Sequence, residues 1–281
     1  MDNGWSMPTT KRPATTSRDV SPPTANEYDS FADIYSVWTD TAASARANLA
    51  FYVDAYLAER GPVVELGVGD GRIAVEAAAR GRSVIGIDCA AAMLARCRER
   101  ATAAGVLGRL TMLQADFRTF ALDEPAALIT LPYHSIGHLV DLQDKRDAIG
   151  HIFSQLRPGG RFIYDDFLMT PALLASMRQV QLRAAYQSSA GLDVLLWVTS
   201  LVDEASQSIK LVTWEDELDG DGVLIRRRYR RLTLSWLDVI QARRLLEEAG
   251  FTVEACFGDF DGTPVEEHAA REQVWIARKP R

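Results

Sequence analysis

Through the middle of the chain, short apolar runs take turns with Ala-rich stretches whose hydrophobic residues recur every three or four positions. Residues 63–66 form the first run, followed by a glycine-rich turn and a helical stretch at 73–80. Residues 83–87 form the second, followed by a helical stretch at 90–104, and 110–114 and 127–131 are further runs. A helical segment at 144–156 closes on Arg157-Pro158-Gly159-Gly160 and leads into a strand at 161–165. Uninterrupted short apolar runs read as strands buried on both faces, and the helices between them as crossovers. The pattern predicts a doubly wound α/β fold with a parallel sheet.

From about residue 171 the pattern changes. Residues 194–202, 209–217 and 223–234 read as strands separated by turn-rich segments with no helices between them, which is an antiparallel meander. A helix at 237–249 and strands at 253–257 and 273–277 then complete a seven-stranded sheet. The meander, at about 171–234, interrupts that sheet near its end and is expected to fold as a lid over the ligand crevice. Upstream, aromatic and aliphatic residues recur at helical spacing from Tyr28 to Trp38, and residues 41–60 continue as helix until Gly61-Pro62. Residues 26–60 are therefore expected to form a helical cover within one domain spanning 26–281. Residues 1–25, rich in Pro, Ser and Thr, are expected to be a disordered tail.

Composition narrows the class. The chain has 281 residues, 47% of them hydrophobic and 25% charged, the balance of an ordinary globular protein. Its 31 Lys and Arg against 38 Asp and Glu leave a net charge of −7, the wrong sign for a protein whose main partner is a phosphate backbone. Cys89, Cys97 and Cys256 are scattered and make neither a disulfide framework nor a zinc pattern. The sequence holds no apolar stretch of about 18 residues and no secretory h-region. The expected setting is the cytoplasm, away from membranes.

The first turn reads Glu65-Leu66-Gly67-Val68-Gly69-Asp70-Gly71. Glycines at alternate positions let the backbone take positive φ and approach a ligand closely, and the helix that follows offers free N–H groups. The G-x-G-x-x-G spacing of a dinucleotide site is absent, and Glu65 would repel a diphosphate placed beside it. Asp88, followed by Cys89, ends the second strand, where its carboxylate reaches the crevice and accepts both hydroxyls of a ribose. Asp116 ends the third, placed to accept from an exocyclic adenine amine while Phe117 and Met93 sandwich the ring.

Together, Glu65-x-Gly67-x-Gly69-x-Gly71, Asp88, Asp116 and Leu156-Arg157-Pro158-Gly159-Gly160 resemble the class I S-adenosylmethionine-dependent methyltransferases over residues 63–167. The resemblance implies a Rossmann-like fold and S-adenosylmethionine as cofactor, released as S-adenosylhomocysteine. It implies that Gly67, Gly69 and Gly71 border the methionine part and that Glu65 reaches its amino group through water. It also gives Asp88, with Cys89 beside it, to the ribose and Asp116 to the adenine, and it brings the Leu131 carbonyl to the methionine ammonium.

After the fourth strand, Pro132-Tyr133-His134-Ser135-Ile136-Gly137-His138 is similar to small-molecule methyltransferases of amino sugars, sarcosine-type amines and natural products, which puts His138 near the accepting amine. The Asn-Pro-Pro-Tyr signature of nucleic-acid adenine methyltransferases is absent. Methyl transfer is an in-line displacement from an activated donor, so alignment supplies most of the rate and a base has only to take the acceptor's proton. His138, neutral at pH 7, is one candidate. Tyr164-Asp165-Asp166-Phe167 supplies the other: alternation sends Asp165 and Asp166 to opposite faces, and Asp166 is read as the carboxylate aimed into the crevice. Tyr28 and Tyr35, with Trp38, belong to a segment that in related enzymes covers the cofactor, where rings exclude water and attract cationic groups.

Trp197, Trp214, Phe257 and Phe260 read either as an aromatic wall for a flat acceptor or as packing. The run Arg226-Arg227-Arg228-Tyr229-Arg230-Arg231 reads first as a solvated strand face paired with nearby acids, and second as a site for an anionic substrate. The expected partner is a small aromatic or amine-bearing metabolite, methylated on nitrogen or on a nucleophilic ring carbon, without nucleic acid, membrane or metal. O-methylation, and retention of the cofactor without transfer, are the alternatives. Monomer and homodimer stay open.

Overall fold

The computed structural model describes residues 34, 37, 39, 43–266 and 270–281. The expected tail, and Tyr28, Tyr35 and Trp38, lie outside the described residues. The chain runs α1 (Ala43–Ala58), β1 (Val63–Leu66), α2 (Arg72–Ala79), β2 (Val84–Asp88), α3 (Ala91–Ala103), β3 (Leu110–Gln114), β4 (Ala126–Leu131), α4 (Leu142–Gln155) and β5 (Leu156–Phe167). After α5 (Pro171–Met177) come β6 (Gln181–Gln187), β7 (Asp193–Asp203), β8 (Ser208–Leu218) and β9 (Leu224–Ser235), and then α6 (Val239–Glu248), β10 (Thr252–Phe257) and β11 (Glu272–Arg278).

Seven strands form one sheet in the order β10-β11-β5-β4-β1-β2-β3, with β11 antiparallel to its neighbours β10 and β5. Both β1 and β4 are buried along their whole length, as strands covered on both sides must be. One face sets Val64, Leu66, Ile129, Leu131, Phe162 and Tyr164 against α4 and α6. The other sets Val63, Leu128 and Ile163 against Tyr52 and Tyr56 of α1, Ile73 of α2 and Cys97 of α3. Each such buried side chain contributes about 1.5–3 kcal/mol. The strand order reverses between β1 and β4, and a crevice opens there at the carboxyl ends, where ligands sit in open α/β sheets.

The second sheet has the order β6-β7-β8-β9, antiparallel throughout. The sequence pattern reveals three of its strands; β6 is the fourth, its residues half-buried or exposed and its place fixed only by pairing with β7. The inner face, Leu196, Ile209, Leu232 and Leu234, packs with Leu174, Trp236 and Phe167 at the carboxyl end of β5. Trp197 and Trp214 alternate to the outer face, stacked at 6.3 Å with Tyr229 6.0 Å from Trp214, so these two do not wall the crevice. Phe260 packs on Phe51 of α1 at 5.6 Å. The arginine run pairs across strands on both faces of the sheet, Arg226 with Glu217, Arg227 with Asp216 and the buried Arg230 with Glu215, as opposite charges on neighbouring strands do.

Gly71 makes the tightest demand of the glycine turn. Its φ is +80°, and a Cβ there would stand 2.5 Å from Cys97 Sγ. Left-handed strain of about 1–2 kcal/mol adds to an overlap that costs about as much again. Gly71→Ala is therefore expected to lower the melting temperature by roughly 5–10 °C, and adding Cys97→Ala to recover part of the loss; an unshifted melt would show that the turn has room to relax.

Candidate active site

The glycine turn joins β1 to α2 with Gly67, Gly69 and Gly71 all in the left-handed region, at φ of 64°, 56° and 80°. A Cβ on Gly67 would stand 3.0 Å from Ser135 Oγ and 3.4 Å from Phe117 Cζ, so both line the space above the turn. Asp88 pins the turn from β2: Oδ2 accepts from Gly69 N at 2.9 Å and Oδ1 from Ala90 N at 2.9 Å. Cys89 is half-buried and not in a disulfide, and Met93 is buried against Ala90. Leu131 is buried at the end of β4, next to Tyr164 in register.

Glu65 is 2% exposed and its Oε2 has no hydrogen-bond partner among the described residues. Burial pushes its carboxyl up to about 8, with Tyr56 and Arg72 opposing in part. A buried carboxyl oxygen left without a donor beside three left-handed glycines is a place made for a polar ligand atom. Asp116 is less open than its sequence position suggests. Arg118 Nε and NH2 grip its two oxygens at 3.0 and 2.7 Å, and Arg118 N adds a third bond at 2.8 Å. The fork holds the Asp116 carboxyl below its ordinary range against the effect of burial, and an adenine amine would have to share those oxygens with Arg118.

Asp166, read from sequence as aimed into the crevice, and Asp165 are both fully buried at the end of β5. Asp166 is fully buried and accepts from Phe167 N at 2.8 Å and Leu237 N at 3.1 Å, so it anchors the exit of the second sheet. Burial raises its pKa to about 6, with Lys145 and His134 opposing. Asp165 is the carboxylate on the α1 face. Its Oδ1 accepts from Tyr52 OH at 2.7 Å, Tyr133 N at 2.9 Å and Asn48 Nδ2 at 3.2 Å, and its Oδ2 from His134 N at 3.1 Å. Tyr133 and His134 both take positive φ, 59° and 57°, a strained pair that the Asp165 carboxylate holds.

His134 Nε2 meets Glu272 Oε2 at 2.7 Å and lies 3.8 Å from Asp165 Oδ2. Its ring stacks on Phe167 at 3.7 Å. The three side chains present donor atoms within 4.8 Å of one another, but four hydrogen bonds already engage Asp165, so the group is a hydrogen-bonded knot. Burial lowers the His134 pKa, and the charge and hydrogen bond of Glu272, with Asp165 and Asp166 behind them, outweigh it and push the value up to about 9.

A group raised from 6.5 to about 9 stabilises the fold fully below 6.5 and ceases to as pH rises through 9. The melting temperature should therefore fall a few degrees over that window. Glu65, raised to about 8, adds a slope of the same sign. The decisive measurement is the difference from His134→Gln, whose curve should be flatter; parallel curves would place the titration elsewhere.

His138 stands half-buried on the single turn Ser135–His138. Burial lowers its pKa, and Lys145 and His134 take it further, to about 3. Glu272 and Lys145 are the residues that sequence reasoning did not single out, while Asp165 and His134 were named there without a part in the site. For Lys145 alone a signal was there to find, since it occupies the apolar stripe of α4 with Ala148, Ile149 and Ile152.

The reversed strand order, the glycine turn and the carboxyl groups at the strand ends make a Rossmann-like α/β fold with a ligand crevice. Residues 63–160 match the family described as a methyltransferase domain. The chain is 31% identical over 142 residues to the tRNA 5-carboxymethoxyuridine methyltransferase of Escherichia coli, covering 47% of this chain and 53% of that one. It thus spans about half the length of the curated relatives it matches.

Among solved structures, the CcbJ methyltransferase of Streptomyces caelestis superposes with a TM-score of 0.75 at 21% identity, covering 93% of this chain and all (100%) of that one. The sugar N-methyltransferase KedS8 of Streptoalloteichus gives 0.68 at 16% identity, covering 99% and 100%. At these identities the likeness is one of fold. The full-length coverage includes the second sheet. No helix among the described residues is long and apolar enough to cross a membrane.

Proposed function

We propose that this chain is an S-adenosylmethionine-dependent methyltransferase acting on a nitrogen of a small molecule held between the strand ends and the inner face of the second sheet. The observation that carries this reading is the joining of three left-handed glycines to two acidic side chains, Asp88 at the end of β2 and Glu65 with an unpartnered oxygen. When bound, the cofactor supplies a methyl group already activated on a cationic sulfur. Asp88, tied to Gly69 and Ala90 at the end of β2, is the acceptor suited to ribose hydroxyls. The orphaned Glu65 oxygen suits an ammonium or a water bridging to it, and Phe117 and Met93 suit an adenine ring.

The chain's part in the reaction is to align the acceptor. His138, kept neutral by its surroundings, can accept a hydrogen bond from the acceptor N–H and so orient the nitrogen, while water takes the proton. An amine loses its proton readily once methylated, so His138→Ala should slow turnover by only about tenfold, below the usual range for a base acting in the transition state. Cofactor affinity should stay unchanged, and a normal rate would remove His138 from the reaction.

The names of the sugar N-methyltransferases that share the fold favour nitrogen as acceptor. The tRNA substrate named for the 31% identical relative supports a second reading. Against it stand the net charge of −7 and an arginine run engaged with acids. Incubation with methyl-labelled cofactor and a panel of amino sugars, other amines, phenols, indoles and bulk tRNA separates the two. Label on a small amine is expected; label on tRNA alone, or on phenols or indoles alone, would overturn the proposal.

A further inference from the structure

Lys145 is a lysine in a core position, 2% exposed on the stripe that α4 turns inward. An ammonium buried there costs several kcal/mol unless it is held, so its contacts bear on its role. Nζ donates to the Ile136 carbonyl at 2.6 Å, in the middle of the turn that carries His138. Asp166 is its counter-charge, each favouring the ionised form of the other. Around the same turn, Ser235 Oγ donates to the Leu139 carbonyl at 3.1 Å. A Cβ on Gly137 would stand 2.9 Å from the Ser235 carbonyl. The turn is thus gripped by α4 on one side and by the exit of the second sheet on the other.

We propose that Lys145 is a positioning residue for the acceptor chemistry: it fixes the turn on which His138 stands and so where the imidazole meets the acceptor. This rests on the methyltransferase reading above. It also gives the buried ammonium a task beyond stability, since a charge buried in a core is often no more stabilising than apolar residues of the same volume. The same ammonium acts on the imidazole through space. Burial, Lys145 and His134 all favour the neutral ring, while the charge of Asp166 favours the ionised form of Lys145 against burial.

The test is Lys145→Met, which keeps the length of the side chain and removes the charge and the donor. Imidazole titration by NMR of the histidine-labelled chain, with the His138 signal assigned by its absence in His138→Ala, should move up toward the ordinary 6.5, with burial, the larger cause, still holding it below that value. Turnover should fall about tenfold with KM and cofactor affinity within twofold. The double variant with His138→Ala should be no slower than His138→Ala alone.

An unmoved titration, an unchanged rate, or losses that multiply in the double variant would each overturn the proposal. Lys145→Gln, which keeps an N–H donor for the Ile136 carbonyl and drops the charge, takes its place if the Met variant does not fold. Should the unmodified chain transfer methyl to no acceptor, the functional reading falls by itself. The titration still decides whether Lys145 governs His138.

Discussion

Asp88→Ala is expected to leave a folded protein that has lost roughly a hundredfold in affinity for S-adenosylhomocysteine. Two charge-assisted hydrogen bonds to ribose hydroxyls are worth about 1.5–3 kcal/mol each, and about 1.4 kcal/mol is a factor of ten in binding. A second contribution comes from the turn itself. Asp88 ties Gly69 N to Ala90 N through one carboxylate, so its removal also loosens three glycines that have no side chains to hold them.

The carboxylate is buried, at 9% exposed, so Gly69 N and Ala90 N lose an acceptor and the melting temperature should fall by a few degrees with the fold kept. Asp88→Asn keeps one acceptor oxygen and should fall between the two. Titration calorimetry decides the matter: affinity within threefold of the unmodified chain would remove Asp88 from the ribose site.

The sheet and the crevice were legible in the sequence because both follow from local rules. Runs such as Val63–Leu66 are apolar at every position since both faces of the strand are covered, and glycine at 67, 69 and 71 answers directly to a backbone that turns left-handed three times. What stayed hidden depends on distant partners. Alternation separates Asp165 from Asp166, yet which of them looks toward α1 is decided by register with β4 and β11, where Asp165 pairs with Val274 and Asp166 with Gln273.

His134 is ordinary until Glu272, 138 residues later, comes within 2.7 Å. The grip of Arg118 on Asp116 is local, two residues away, but it needs the chain to fold back after β3. β6 has no alternating pattern of its own and exists because β7 offers it an edge.

Asp165→Ala is expected to cost about 3–5 kcal/mol, the usual penalty for stranding the partners of a buried charge, and to lower the melting temperature by about 10 °C. Three elements converge on this carboxylate: α1 through Asn48 and Tyr52, β5 through its own backbone, and the loop after β4 through Tyr133 N and His134 N. Nothing apolar of similar size replaces a hub of four donors, and each N–H left buried without an acceptor carries its full desolvation cost.

The loss should not be uniform. Tyr133 and His134 hold positive φ only while the carboxylate accepts from both, so hydrogen exchange should rise first at those two amides and at the turn that follows them. His134 would then lose its place over Phe167, and His138, four residues on, its approach to the acceptor. Methyl transfer should therefore fall further than the melting temperature alone implies when measured well below the melt. Asp165→Asn keeps the shape but turns an amide N–H toward one of the donors, and should recover less than half of the stability. A variant that melts within 2 °C of the parent, with exchange at Tyr133 and His134 unchanged, would mean that the left-handed pair is held by its own packing and not by Asp165.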